Sequence, residues 1–406
     1  TTLGFGALTV TPSDSSIAPR ALTVGVDPGP ATNVSLSGPA VSATANACST
    51  NALLLTVYDA QGNAARAPAG GVSAVLAEQN GTGTDLGFSA NGACSGLSPQ
   101  VLIPADAGSA QVFFKGTLAR SAFTVGITGA SPLTPSGSPV PWNASIPATP
   151  SRLAWTGADA GTTQAGDCTP ADYRLTLTDD YNNPTTLGAP LTITVTSTPM
   201  AGVQVTTTPP TNRGPSVLLP GNQQSVNFAA CGQVTNSYAL SAGSGTYNAT
   251  GTVGFTVTPS QPHLELKPLD GGSTVTAGNC HAMVLSQLDT FGNPAPAGGA
   301  SFPITWLPGA SQLEVFANGC SGGTVSAVTM AGASTNFSVR PKTKGALTVS
   351  AAADASVQLT VLPAGFDHVV FDGGSASLQA GVCSNALQVE ARDIFDNALD
   401  TGTFSM

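Results

Sequence analysis

The sequence has little charge and few side chains that commonly perform chemistry. Only 8% of its 406 residues are charged, the net charge is −10, and there are three histidines. Such an acidic chain lacks the basic surface that nucleic-acid binding requires. No apolar run is long enough to cross a membrane as a helix. These shortages predict no nucleic-acid partner, no membrane span within this chain and no cofactor.

Motifs for catalysis and for zinc binding are also missing. Serine is abundant, but no Gly-x-Ser-x-Gly elbow with a partnered histidine is present, so a hydrolase triad has no support. The seven cysteines include no Cys-x-x-Cys pair, which argues against a zinc site. We therefore expect no enzymatic activity and no metal.

The residues that are abundant indicate β-structure. The chain holds 47 glycines and 31 prolines, yet 41% of its residues are hydrophobic. Short alternations of Val, Thr, Ile and Leu lie between Gly- and Pro-containing turns, which is typical of many short strands and not of disorder. The length suggests about three or four domains.

A cysteine followed by a strand-like stretch and an Asp-x-x-x-Asn turn occurs four times, which indicates tandem repeats. The spacing from cysteine to aspartate is 11, 11, 9 and 10 residues. Between them, apolar residues alternate with polar ones, as in a half-buried strand. Asp and Asn favour turns because their side chains bond the nearby backbone. The turn pairs are Asp59 and Asn63, Asp179 and Asn183, Asp289 and Asn293, and Asp393 and Asn397.

The cysteines fall two to a repeat, with the last one alone. Pairing within repeats predicts the disulfides Cys48–Cys94, Cys168–Cys231 and Cys280–Cys320, and leaves Cys383 for a partner outside the chain. Cys231 has a different sequence context from Cys94 and Cys320, so we expect the second bridge to join different strands. Regular pairs predict an oxidising, extracytoplasmic location.

Prolines between strands predict the unit boundaries. A joint follows each unit at Thr11-Pro12, Thr149-Pro150, Thr258-Pro259 and Leu362-Pro363, and a first strand opens the next unit, beginning with Leu22-Thr23-Val24. The first unit contains insertions near residues 28–39 and 132–142. The predicted organisation is the last strand of an upstream repeat at 1–12, repeats at 13–150, 151–259 and 260–363, and the start of an incomplete fourth at 364–406.

These features resemble the bacterial immunoglobulin-like repeats of invasin- and intimin-type surface proteins. The resemblance rests on the Asp-x-x-Gly-Asn-Pro turn, the alternating strand after it, and the stretches 107–113 and 123–127. It covers most of 20–148, 151–259 and 262–363. Paired cysteines in every repeat and Asn182 in place of the turn glycine depart from the family pattern. The resemblance implies an all-β fold of tandem immunoglobulin-like sandwiches and a surface-exposed stalk or adhesin without catalysis.

Two groups of residues have a second interpretation. Acids and amides in the turns, including Asp180, Asn182, Asp396 and Asp400, offer oxygens of the kind that Ca²⁺ takes, although turn capping explains them as well. Trp142, Trp155 and Trp306 suit a sugar-binding platform, although a tryptophan buried in a sandwich core is the commoner arrangement.

Two classes of function follow. The first is a non-catalytic extracellular or cell-surface stalk or adhesin, whose partners are other proteins or extracellular ligands. The alternative is a structural subunit of an extracellular filament or sheath, assembled with copies of itself through lateral or strand-addition contacts. A carrier for an enzyme domain outside this sequence is a third. For the unpaired strands at both ends, we expect a longer repeat protein in preference to strand lending between copies.

Overall fold

A computed structural model describes residues 4–80, 85–120, 123–137, 139–141, 145–157, 161–170, 173–200, 202–207, 212–310, 312–372, 379–383 and 388–399. Within these residues the chain forms two hairpins and three two-layered β-sandwiches, termed units 1, 2 and 3. None of the described residues belongs to a helix with the length and apolar character of a membrane span. Trp142 and Asp400 lie outside the described residues.

The N-terminal hairpin and unit 1 come first along the chain. The hairpin consists of β1 (Gly4–Val10) and β2 (Arg20–Val26). The strands of unit 1 are β3 (Ala31–Ser37), β4 (Ala43–Thr44), β5 (Leu53–Asp59), β6 (Val72–Glu78), β7 (Gly87–Ser89), β8 (Gln100–Ile103), β9 (Ser109–Lys115), β10 (Thr124–Ser131), β11 (Thr134–Ser136), β12 (Val140–Pro141) and β13 (Ser145–Ile146).

Units 2 and 3 have nine strands each, and a C-terminal hairpin follows them. The strands of unit 2 are β14 (Arg152–Gly157), β15 (Gly161–Gln164), β16 (Tyr173–Thr178), β17 (Leu191–Thr198), β18 (Val203–Thr206), β19 (Ser216–Leu219), β20 (Ser225–Gly232), β21 (Asn236–Gly243) and β22 (Val253–Thr258). Those of unit 3 are β23 (Pro262–Pro268), β24 (Thr274–Thr276), β25 (His281–Asp289), β26 (Ala300–Leu307), β27 (Leu313–Phe316), β28 (Ala327–Met330), β29 (Ser334–Pro341), β30 (Gly345–Ala351) and β31 (Ala355–Leu362). The hairpin consists of β32 (Phe366–Asp372) and β33 (Gln388–Asp393).

Units 2 and 3 share one sheet topology. In unit 3 a four-stranded sheet of order β23-β25-β29-β27 faces a five-stranded sheet of order β24-β31-β30-β26-β28, and unit 2 has the corresponding orders β14-β16-β20-β18 and β15-β22-β21-β17-β19. Strands β15 and β24 pair in parallel with the last strand of their own unit. Apolar residues from the inner faces of both sheets form one buried core in each unit, as the period-two pattern requires.

Unit 1 keeps the same plan with a divided last strand. Its sheets have the orders β12-β10-β6-β8 and β11-β3-β5-β9-β7. Strand β11 pairs in parallel with β3, β12 pairs with β10, and β13 pairs in parallel with β4. The stretch 132–142, expected to be an insertion, therefore holds pieces of the closing strand within its described part.

The structure differs from the predicted start of unit 1. Leu22-Thr23-Val24 pairs with β1, with Leu8 opposite Leu22, and not with unit 1. The first strand of unit 1 is β3, which pairs with β5. This correction makes residues 28–39 the joint and first strand, not an insertion. The prediction failed because the apolar alternation of β2 is also what a first strand shows, and alternation alone does not say which strand it pairs with.

The three disulfides tie the loop before the second long strand of each unit to the rest of its sandwich. Cys48–Cys94 and Cys280–Cys320 join that loop to the loop after β7 or β27, with Cα–Cα distances of 5.6 and 5.7 Å. Cys168–Cys231 instead reaches into β20, with a Cα–Cα distance of 4.0 Å. Cys383 is an exposed free thiol. The second bridge thus has a different attachment point from the other two.

We predict that these bridges set the stability of their units. The Cys280–Cys320 bridge closes a loop of 40 residues, so replacing both cysteines by serine should lower the free energy of unfolding of unit 3 by about 3–4 kcal/mol in the chain-entropy model. Hydrogen exchange of the unit 3 core amides measures this loss. Cys383→Ser is the matched control and should change nothing. Non-reducing peptide mapping that finds a free thiol at any of the six bridge positions would contradict the assignment.

Candidate functional site: the joints between units

The Asp-x-x-x-Asn turns lie at the joints between consecutive units, and each aspartate organises its own turn. In the third turn, Asp289 is fully buried. Its Oδ1 accepts hydrogen bonds from the backbone N–H of Phe291 (2.9 Å) and Asn293 (2.8 Å). The Asn293 Nδ2 donates to Asp289 Oδ2 at 2.8 Å. The same bonds form around the other three aspartates (Asp59, Asp179 and Asp393).

The same carboxylate also holds the linker that enters the unit. Asp289 Oδ2 accepts a hydrogen bond at 3.0 Å from the backbone N–H of Ser260, which follows the joint proline Pro259. The equivalent donors to the other three aspartates are the backbone N–H groups of Gly29, Ala148 and Ala364. Each of these donors follows a proline. The linker is therefore fixed to the turn in all four copies, and we propose that the joints lie at Pro28, Pro147, Pro259 and Pro363.

The asparagine of the turn reaches across the joint into the preceding unit. Asn293 is 6% exposed, and its Nδ2 donates to the Gln233 carbonyl of unit 2 at 2.7 Å. Its Oδ1 accepts from the Thr235 backbone N–H at 3.1 Å. A side-chain amide that both donates to and accepts from residues two apart replaces the hydrogen bonding of a neighbouring strand. We name this pair of bonds the Asn latch.

The Asn latch occurs at three successive joints, between units 1 and 2, between units 2 and 3, and between unit 3 and the C-terminal hairpin. Asn183 bonds the Thr117 carbonyl and the Ala119 N–H of unit 1, both at 2.7 Å. Asn397 does the same from the turn after β33, bonding the Lys342 carbonyl (2.7 Å) and the Lys344 N–H (2.8 Å) of unit 3. The partners in every case are backbone atoms just before the penultimate long strand, so the latch needs no particular side chain on the other unit.

An aromatic ring adds a second contact at two of the joints. A Cβ placed on Gly166 of unit 2 would lie 2.5 Å from the ring of Phe291, and one on Gly278 of unit 3 would lie 2.6 Å from the ring of Phe395. Both glycines have positive φ, at 90° and 80°. Glycine is required there because the turn is left-handed and the ring of the next turn occupies the space of a side chain.

Hydrogen bonding controls the ionisation of the turn aspartates. For Asp59, the bond from the Asn63 side chain lowers the carboxyl pKa to about 2. For Asp179, burial opposes ionisation, but the bonds from Asn183 and the backbone outweigh it and the pKa is lowered. Asp289 and Asp393 follow the same balance of burial against hydrogen bonds and also have lowered pKa values. These carboxylates stay ionised and bonded at neutral pH.

The arrangement accounts for the turn oxygens without a metal. Both oxygens of each turn aspartate accept hydrogen bonds from N–H groups, which suits turn capping better than Ca²⁺ ligation. Within the described ranges, no three His, Cys, Asp or Glu side chains converge as a metal site. Trp155 and Trp306 are both half-buried beside their cores. That no metal is needed for folding stays a prediction.

The sheet orders of units 2 and 3 are those of an immunoglobulin-like sandwich, in which a four-stranded sheet faces the sheet that carries the last two strands. Comparison with solved structures finds the Escherichia coli adhesin FdeC (16% identity, TM-score 0.36, 84% of this chain and 100% of that one). It also finds the integrin-binding protein invasin (12%, 0.34, 88% and 66%) and domains 4–9 of the surface-layer protein SbsC (15%, 0.22, 98% and 68%). No family model and no curated protein matches the sequence. Identities this low bear on the fold alone, and these TM-scores add no argument about function.

We predict that the Asn latch sets the geometry of the joint. Asn293→Ala removes two bonds to unit 2, so the distribution of spin-label distances between units 2 and 3 should broaden. Because it also removes a buried bond to Asp289, unit 3 should lose about 1–3 kcal/mol. Asn336→Ala, at an exposed site on β29, is the matched control. Equal distance distributions for the two variants would show that the latch does not hold the joint.

The turn aspartates also predict acid sensitivity. A folded-state pKa below the unfolded value of about 3.9 stabilises the fold fully above that value. The contribution is lost as pH falls through the lowered values, which for Asp59 means down to about 2. Stability should therefore fall steeply below about pH 4. Asp179→Asn should lower stability at neutral pH, because an N–H₂ group replaces an acceptor, and flatten the acid slope. Its exposed neighbour provides the control Asp180→Asn, and an equal acid slope in both variants would contradict the assignment.

Proposed function

We propose that the chain is a non-catalytic extracellular or cell-surface repeat protein that acts as a rigid stalk or adhesin. The observation that carries the proposal is the Asn latch, which recurs with the same partners at three successive joints. A device repeated at three successive joints serves the array and not one unit. Its effect is to hold consecutive sandwiches in a defined orientation.

Short linkers support the rigidity of this stalk. Strand β22 ends at Thr258 and β23 begins at Pro262, and likewise β31 ends at Leu362 and β32 begins at Phe366. Three residues lie between the strands at each of these joints, and one of their N–H groups is bonded to the turn aspartate. A linker this short leaves little freedom between domains, whereas flexible linkers are longer and polar. The units thus have two separate attachments, the linker and the latch.

The chemistry of the joints supports a role without catalysis. The turn aspartates have lowered pKa values, and both of their carboxylate oxygens accept hydrogen bonds from backbone and amide N–H groups. They are therefore poor general acids or bases. The three disulfides are typical of proteins in an oxidising compartment. These features support a surface or secreted location, where a disulfide-stapled array of sandwiches works as a spacer.

Short edge strands on one side of each unit favour the stalk over the filament. There the outer strand β8, β19 or β28 spans only four residues, whereas β14 and β23 at other edges span six and seven. Short edges limit pairing with a second chain on that side. A filament built by lateral packing needs interfaces of roughly 1,000 Å² or more, whereas a stalk needs only the head-to-tail joints already described.

The experiment that tests the stalk is small-angle scattering combined with sedimentation across a wide range of protein concentration. A stalk should sediment as a monomer at every concentration and give a maximum dimension several times that of one unit. Growth of the scattering mass with concentration, together with lateral contacts in electron micrographs, would overturn the proposal in favour of the filament.

A further inference from the structure

Unit 3 contains an open groove on its flank beside β26 and β27. The groove has a volume of about 800 Å³ and is lined by the end of β26, by β27 and by the segment just before β28. Trp306 and Leu313 supply apolar surface, and Thr324 and Ser326 supply hydroxyl groups. Trp306 is half-buried, and the two hydroxyl residues are exposed. Its volume is within the range of roughly 300–1,000 Å³ that small-molecule sites occupy.

The three units provide an internal comparison for this groove. One backbone hydrogen bond recurs in all three units and identifies the strand positions that correspond to one another. The N–H groups of Leu76, Val195 and Ile304 donate to the carbonyls of Pro99, Pro215 and Ser326, respectively. Two residues further along, unit 1 has Glu78, unit 2 has Ser197 and unit 3 has Trp306. The same strand position therefore has an acidic side chain in unit 1, a hydroxyl in unit 2 and an indole in unit 3.

Unit 1 fills this flank with an ion pair. The Glu78 side chain is 2% exposed and bonds Arg120, which also bonds Asp85. Arg120 lies over the ring of Phe123, 5.7 Å from its centroid. The lining of the unit 3 groove has Trp306 at the strand position that Glu78 holds in unit 1. The charged side chain that closes the flank of unit 1 at this position is thus replaced by an indole in unit 3.

The acidic side chain of the groove lining is already bonded to two cations of the same unit. Glu314 is that residue. Its carboxylate accepts hydrogen bonds at 2.7 Å from Arg340 Nε and from Lys342 Nζ. Arg340 is further held over the ring of Phe316, 4.9 Å from its centroid. The three side chains together carry one net positive charge, but neither cation is among the residues that line the groove.

We propose that this groove binds a neutral oligosaccharide through one pyranose ring placed against Trp306. A pyranose has one face of C–H groups, which pack on an aromatic face, and a rim of hydroxyls, which need donors and acceptors. Trp306 supplies the first requirement, and Thr324 and Ser326 supply the second. A wholly apolar ligand would leave these hydroxyls unpaired, an anionic ligand would find no cation among the lining residues, and a cationic ligand would find Glu314 already bonded. The inference does not depend on the proposed stalk role.

The experiment is an array of neutral oligosaccharides built from hexose and N-acetylhexosamine units, with sialylated versions of the same glycans beside them. The strongest neutral glycan is then titrated in solution, with saturation-transfer NMR as the readout. We expect saturable binding with a dissociation constant of about 1 mM or below. Trp306→Ala should weaken it at least about tenfold, which corresponds to roughly 1.4 kcal/mol.

Two further variants separate binding from folding. Ser326→Ala and Thr324→Val change exposed side chains and should weaken binding while leaving the melting temperature unchanged. Trp155→Phe in unit 2 is the control for loss of an indole elsewhere and should bind as the parent does. The proposal is overturned if no neutral glycan binds at concentrations of about 10 mM, if only sialylated glycans bind, or if Trp306→Ala binds as tightly as the parent.

Discussion

The buried carboxylate of the turn aspartate is the constraint on which the array depends. An ionised carboxylate has about four acceptor positions. Asp289 receives four donors: two turn N–H groups, the Asn293 amide and the Ser260 N–H of the linker. Burial of a charge is costly unless such bonds compensate for it. Here the compensating bonds shape the turn and fix the incoming chain at the same time, so folding of the turn and orientation of the linker are one event.

The asparagine extends this arrangement from one unit to two. One N–H of the Asn293 amide donates the last of the four hydrogen bonds to the Asp289 carboxylate. The other N–H and the amide oxygen bond the backbone of the preceding unit. The two residues therefore divide the work, since the aspartate stabilises the turn and the linker while the asparagine joins the units. Asparagine fits because it offers donors and an acceptor on one short side chain, whereas an aspartate there would place a second carboxylate beside the first.

Much of the fold could be predicted from the sequence because its information is local. Period-two alternation and the recurring turn predict the long strands, and the cysteine spacing predicts the bridges. The Asn latch could not be predicted, because its partners are backbone atoms of another unit and leave no sequence signal. The sequence does contain the residues of the ring contacts, since Gly166 lies two residues before Cys168 and Phe291 lies in the next turn. Only the structure shows that they touch. The start of unit 1 was missed because an exposed hairpin strand and a first strand have the same pattern.

The joints and the flanks of the units are under different physical constraints. At a joint, the turn, the linker and the preceding unit share one hydrogen-bond network. A substitution in any of these three parts therefore affects two units. The flank beside β26 belongs to one sandwich but borders the joint, since Glu314 bonds Lys342 and the Lys342 carbonyl accepts a hydrogen bond from Asn397. The latch itself bonds only backbone atoms, so the side chain at that strand position can differ, as it does at Glu78, Ser197 and Trp306. An array held together by its turns is free to vary its flanks, and the flanks are where binding surfaces can arise without cost to the stalk.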